Sequence, residues 1–222
     1  QLNHKVEKIK IPSDDELTSW YFKKNKNFKT LLFFHGNAGK IDNRIYKLNE
    51  FSKMNINYLI FGYRGFSGND GKPHEEGLYK DAKAAKLWLN QKNISDEQII
   101  IYGESLGTAI ATKLSTNYSF NMTILEAPFT SIADVAQKRY WIFPAKYLVL
   151  DDFDNLGIIK KIKSPLLLLH GYKDYVINIA FGKKVFEAAP KPKKALFVQN
   201  AGHNNLFEFN LMNKILNFLK KY

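Results

Sequence analysis

Gly103-Glu104-Ser105-Leu106-Gly107 is a G-x-S-x-G pentapeptide. It directly follows the apolar run Ile99-Ile100-Ile101-Tyr102 and directly precedes a segment rich in small residues. A strand before and a helix after are the setting of a nucleophile elbow, a sharp turn that lifts a serine hydroxyl above the edge of a sheet. Glycines two residues to either side of Ser105 let strand and helix backbones approach without a Cβ clash. The competing reading is a plain strand-to-helix turn.

A serine hydroxyl is a weak nucleophile, so it needs a base, and the base needs an acid to orient it. The chain has five histidines. His4 precedes the first strand, and His74 lies in a polar loop. His35 and His170 each end a strand and are each followed by glycine, which reads as a matched pair of loop-shaping residues. His203 stands in Asn200-Ala201-Gly202-His203-Asn204-Asn205, between the last strand and the last helix. That is the carboxyl edge of a parallel sheet, where open α/β sheets bind ligands, and His203 is the choice for the base. Asp174 follows the strand that ends in His170 and is the choice for the acid. Glu126, at the end of another strand, is an alternative. The Asp151, Asp152 and Asp154 run reads as a solvated face. The order Ser105, Asp174, His203 is that of an α/β-hydrolase. An oxyanion hole needs two N–H donors; Leu106, after the serine, supplies one, and Asn37 in His35-Gly36-Asn37-Ala38-Gly39 is the choice for the other.

These residues need a scaffold. Residues 6–11 and 17–22 read as an antiparallel hairpin around a Pro12-Ser13-Asp14-Asp15 turn. Continuous apolar runs at 31–34, 58–61, 99–102, 122–125, 166–169 and 195–198 read as strands buried on both faces. Helical spacing over 42–53, 75–89, 106–114, 180–188 and 207–219 separates them. Strands alternating with helices predict an α/β fold: one mostly parallel, eight-stranded sheet, helices on both faces and an N-terminal hairpin. Residues 130–164 break the rhythm and read as a small lid insertion within a single domain, 1–222. Phe66, Phe129, Trp141 and Tyr147 are expected to wall an apolar substrate pocket.

Composition limits the alternatives. With 45% hydrophobic and 24% charged residues the chain is an ordinary globular one rather than a disordered one. Zero cysteine removes disulfides, thiolate metal sites and a cysteine nucleophile. No apolar run reaches the roughly 18 residues of a spanning helix. The chain starts at Gln1 rather than Met, so residues are expected upstream, with room for a signal peptide or membrane anchor. Location stays open between cytoplasm and a membrane surface. The net charge of +12 looks like a nucleic-acid binder's, yet only three of the 33 cations are arginine, at 44, 64 and 139. No nucleic-acid partner is therefore expected. Lysines gather at 23–29, 160–163 and 191–194; sharing a face beside the site mouth, they would hold the protein against an anionic membrane.

Several motifs together resemble the α/β-hydrolases of the Bem46-like, ABHD13/ABHD17-like branch. They are His35-Gly36-Asn37-Ala38-Gly39, Tyr63-Arg64-Gly65-Phe66-Ser67-Gly68, Glu75-Glu76-Gly77-Leu78-Tyr79-Lys80-Asp81-Ala82, Gly103-Glu104-Ser105-Leu106-Gly107, Glu126-Ala127-Pro128-Phe129-Thr130-Ser131, Gly171-Tyr172-Lys173-Asp174 and Gly202-His203-Asn204. The resemblance implies Ser105 as nucleophile, Asp174 rather than Glu126 as acid, His203 as base, and a small lid at 130–164. It implies cleavage of carboxylic esters or thioesters, since relatives include thioesterases that remove palmitate from proteins. The expected substrate is a small or lipid-like acyl compound, with no metal or organic cofactor. Two departures stand out: Ile177 where the family often has proline, and Asn205 where it often has aspartate. An amidase or peptidase on the same triad is the first alternative. A non-catalytic binding scaffold or basic surface-binding protein is the alternative of another class.

Overall fold

The computed structural model describes residues 1–37, 39–140 and 144–219. Among them, β1 (Glu7–Pro12) and β2 (Glu16–Phe22) form the expected hairpin, with Glu7 opposite Tyr21 and Pro12 opposite Glu16. β2 then runs antiparallel to β4 (Asn57–Phe61). The remaining strands are β3 (Thr30–Phe34), β5 (Ile99–Glu104), β6 (Met122–Glu126), β7 (Leu166–Gly171) and β8 (Lys193–Val198). All of these pair parallel, giving one eight-stranded sheet in the order β1-β2-β4-β3-β5-β6-β7-β8.

Alternation along each strand divides the core in two. Leu31 and Phe33 of β3 join Tyr58 and Ile60 of β4 on one face. There they pack with Leu48 and Phe51 of α1 (Ile45–Lys53) and Leu211, Ile215 and Phe218 of α7 (Leu211–Leu219). Leu32, Phe34, Leu59 and Phe61 point to the other face. That face is covered by α2 (Glu75–Gln91), α3 (Leu106–Asn117) and α6 (Ile179–Ala188). Two short helices, α4 (Ile132–Arg139) and α5 (Asn155–Ile159), lie in the insertion between β6 and β7.

Two predicted helices differ in detail. The segment expected at 42–53 opens with a 3-10 turn, Ile41–Arg44, before α1. The closing helix is split at Asn210, whose φ of 54° ends a 3-10 turn, Leu206–Phe209, before α7 starts. Asparagine tolerates this left-handed backbone better than most residues, and periodicity carries no trace of it.

The three lysine clusters gather at one edge, but not the one carrying Ser105. Each precedes or caps elements at the amino ends of the parallel strands. Lys24 Nζ donates to the Ser52 and Met54 carbonyls at the end of α1. Lys163 Nζ donates to the Asn117 carbonyl at the end of α3. Lys193 Nζ donates to the Phe186, Glu187 and Ala189 carbonyls at the end of α6. Cations favour helix C-termini because unpaired carbonyls and the helix dipole concentrate negative charge there. The expectation of a basic face beside the site mouth is therefore not met by these clusters.

A buried ion pair fastens the hairpin turn and the loop after β4 to α2. Asp81 is fully buried, and its carboxylate accepts from Arg64 N, Nε and Nη2 and from Ser13 Oγ. Arg64 Nη1 also reaches Asp14 at 3.1 Å. Removing one partner strands a buried charge, so Asp81→Ala should lose about 3–5 kcal/mol in urea unfolding. A loss below about 1 kcal/mol would show that this pair does not anchor the loop.

Candidate active site

Parallel strands place their carboxyl ends together, and the site is built along that edge. β5 ends at Glu104, and Ser105 turns the chain sharply into α3 with φ 51° and ψ −116°. A non-glycine residue at positive φ is strained and persists only where neighbours hold it. Here Ser105 N–H donates to the Glu126 carbonyl at 2.9 Å. A Cβ added at Gly107 would sit 2.0 Å from the Phe34 carbonyl oxygen, so α3 lies against β3 at a distance only glycine allows.

Asp174 follows β7 and is 3% exposed. Its Oδ1 accepts from the Val176 and Ile177 N–H groups at 2.9 and 2.7 Å. A proline at 177 could not make the second of these bonds. Its Oδ2 lies 2.7 Å from His203 Nδ1. An ionised carboxylate only accepts, so this contact assigns the proton to Nδ1 and leaves the Nε2 lone pair available. Burial opposes ionisation of Asp174, but hydrogen bonds from His170 and His203 outweigh it and hold its pKa well below the usual carboxylate range. The Asn205 Oδ1 accepts from Gly202 N–H at 2.7 Å and so shapes the turn that presents His203.

Glu126 is occupied elsewhere. The β5–β6 register sets it directly beside Glu104. Lys47 Nζ on α1 bridges the two carboxylates at 2.6 and 2.9 Å, Tyr102 OH donates to Glu126 at 2.5 Å, and Arg44 reaches Glu104 at 3.0 Å. Burial disfavours the charges of Lys47 and Glu104, yet the opposite charges prevail: the Lys47 pKa is raised and that of Glu104 lowered. Asp174, not Glu126, is the carboxylate in contact with His203.

Sequence alone treated His35 and His170 as a pair, and the structure separates them. His170 Nε2 donates to the Ile177 carbonyl at 2.9 Å and lies 3.4 Å from Asp174 Oδ2, so it borders the acid. Its spacing four residues before Asp174, on a strand end, was the available signal. His35 is fully buried, tilted against Tyr63 at 4.4 Å, with Nδ1 donating to the Gly36 carbonyl. The Asp151, Asp152 and Asp154 run keeps Asp154 exposed and the other two half-buried, and each also accepts a backbone hydrogen bond. Asp151 Oδ1 accepts from Glu75 N–H, Asp152 Oδ1 from Ala133 N–H, and Asp154 Oδ1 from Gly157 N–H.

A cavity of about 380 Å³ opens at the elbow, lined by Ser105, Leu106, Asn37, Phe66 and Phe129 among others. His74, Phe153 and Ile177 also face it, and sequence reasoning had not placed them there. Tyr147 is 77% exposed and is not among the described residues of this wall. It sits on a short 3-10 helix, Ala145–Leu148, that leaves its ring largely in solvent. Trp141 lies outside the described residues. Among the described residues no three His, Asp or Glu side chains group as a metal site would require.

The topology and the elbow together define an α/β-hydrolase fold. Solved structures agree: the Pyrococcus furiosus esterase Pf2001 superposes with a TM-score of 0.80 at 20% identity, covering 98% of this chain and 93% of that one. The α/β-hydrolase GrgF from Penicillium gives 0.80 at 16% identity, covering 98% and 99%. No protein-family model matches the chain. Among curated proteins, human alpha/beta hydrolase domain-containing protein 17B is 38% identical over 199 residues, 87% of this chain and 65% of that protein. An uncharacterized protein of Mycobacterium tuberculosis is 33% identical over 192 residues, 85% of this chain and 68% of that protein. The chain thus spans about two thirds of the length of these relatives. It belongs to the α/β-hydrolases and is similar to the branch of the alpha/beta hydrolase domain-containing 17 proteins.

Burial pushes the His35 pKa down from 6.5 to about 4, with Arg44 adding to the shift and the Gly36 carbonyl opposing it. The unfolded chain therefore takes up this proton first. The neutral ring's contribution is present above pH 6.5 and is lost as pH falls toward 4. Between pH 7 and pH 5 this should remove about 2 kcal/mol of stability. Urea titrations at both pH values should show that slope, and His35→Gln should flatten it; an unchanged slope in the variant would reassign it to other groups.

Proposed function

We propose that the chain is a serine hydrolase of carboxylic esters or thioesters. The observation that carries this reading is the 2.7 Å contact between His203 Nδ1 and Asp174 Oδ2 at the same sheet edge as the strained Ser105. Ser105 Oγ attacks the acyl carbonyl while His203 Nε2 takes the hydroxyl proton. Asp174 keeps the imidazole in the required tautomer and stabilises the imidazolium that forms. The N–H groups of Leu106, at the open first turn of α3, and of Asn37 receive the developing oxyanion. His203 returns the proton to the leaving oxygen or sulfur, and an acyl-enzyme remains. Water, deprotonated by the same imidazole, then releases the carboxylic acid and restores Ser105.

The apolar wall of the cavity, with Phe66 and Phe129 beside Ser105, suits an acyl chain. The insertion at 130–164 acts as a lid, since Ile132, Asp151 and Phe153 close one side of that cavity. The choice of ester and thioester over amide follows the resemblance to the ABHD17-like branch.

A fluorophosphonate probe should label the protein, and Ser105→Ala should abolish labelling. Asp174→Asn should keep the fold and lower kcat about 10⁴-fold on an acyl ester, because the imidazole loses its orienting acceptor. Equal labelling of the alanine variant would overturn the assignment of Ser105.

A further inference from the structure

A second cavity, of about 650 Å³, adjoins the first along Val176, which lines both. Asp174 forms part of its wall, so it begins at the orienting acid itself. Its other walls include Phe181 and Tyr175 and two cations, Lys138 and Arg139, from the last turn of α4. We propose that this cavity is a subsite for an anionic group on the leaving-group portion of the substrate, a carboxylate or phosphate held by Lys138 and Arg139. The proposal rests on the serine-hydrolase reading and extends it to substrate choice.

Three observations support it. First, the cations are unspent: neither Lys138 nor Arg139 pairs with a carboxylate among the described residues. Asp174, the carboxylate on the same wall, turns its oxygens to Val176, Ile177 and His203 and pairs with neither cation. Second, Lys138 is placed rather than loose: its Nζ lies 5.5 Å from the centre of the Phe181 ring, on the cavity wall. A ring face attracts an ammonium while leaving its N–H donors free for a ligand. Third, the two cavities differ in charge: the second sets two cations, Lys138 and Arg139, against one carboxylate, Asp174, whereas the first has no Lys or Arg among the described residues of its wall. The first is apolar beside Ser105, and the charged group on its wall, Asp151, would repel an anion. An acyl chain in the first cavity and an anion in the second is the arrangement that satisfies both walls.

The test compares hexanoyl esters of 4-nitrophenol and of 4-nitrophenol bearing a 3-carboxylate, which share acyl chain and chromophore. The double variant Lys138→Gln/Arg139→Gln should raise KM for the carboxylate ester about tenfold more than for the neutral ester, with kcat little affected. Raising ionic strength should shrink the wild-type preference in the same sense, as screening of exposed cations requires. Arg139→Lys should retain part of the preference, since the charge stays while the planar fork is lost. Equal KM changes on both esters, or none on either, would overturn the proposal. Binding of both esters to Ser105→Ala by calorimetry gives a readout that does not need turnover. If the wild type neither reacts with fluorophosphonate nor hydrolyses either ester, the hydrolase reading fails. A tenfold weaker calorimetric affinity of the carboxylate ester for Ser105→Ala/Lys138→Gln/Arg139→Gln than for Ser105→Ala would then still support an anion site, and equal affinities would remove it.

Discussion

Ser105 occupies a backbone conformation that costs roughly 1–3 kcal/mol, and the architecture around it exists to hold that conformation in place. The strain is countered from three directions. Gly107 lets α3 press against the Phe34 carbonyl, so the helix cannot tilt away. The Glu126 carbonyl captures the Ser105 N–H from the neighbouring strand. Beneath the turn, Lys47 binds the side chains of Glu104 and Glu126 together, and Arg44 adds a second cation to Glu104. A buried ammonium between two carboxylates is stable only if its desolvation is offset by close, well-aligned partners, and these contacts are 2.6–3.0 Å. Because Arg44 and Lys47 lie just beyond the loop that holds Asn37, the same cluster fixes the loop and the elbow relative to each other.

The acid is fixed by a different device. Asp174 is held by backbone donors of its own loop, Val176 and Ile177, before it touches any histidine. Its direction is thus set by β7 and the turn after it. His170 closes the same loop by donating to the Ile177 carbonyl. His203 arrives from a separate turn after β8, whose shape depends on the Asn205 side chain. The two loops meet because β7 and β8 are adjacent parallel strands ending at one level.

The insertion is fastened to the body through short acidic contacts. Asp151 and Glu75 exchange bonds between the insertion and the first turn of α2: Asp151 accepts from Glu75 N–H, and Glu75 accepts from Phe153 N–H. Asn155 reaches Thr108 on α3, three residues past the elbow. These contacts put Phe153 and Asp151 on the wall of the cavity beside Ser105, and they leave Lys138 and Arg139 at the rim of the second cavity.

Much of this was legible in the chain itself. Continuous apolar runs marked the buried parallel strands, because a strand covered on both faces has no polar side to show. The G-x-S-x-G turn and the strand-end positions of Asp174 and His203 identified the residues that share an edge, since short-range pattern determines which end of a strand a loop occupies. What the sequence could not decide was pairing between residues far apart in the chain. Glu126 looked like a rival acid until the β5–β6 register set it beside Glu104 and Lys47. The aspartate run lies at the surface, but its pattern carried no sign that its members would accept from the first turns of three different helices. Whether the three lysine clusters lay beside the site mouth was equally undecided until the topology placed one lysine of each, Lys24, Lys163 and Lys193, on helix C-termini at the edge away from Ser105. The physical reason is the same each time. Local sequence sets hydrophobic period and turn chemistry, but a charge finds its partner only when the packed sheet brings distant strand ends within hydrogen-bond reach.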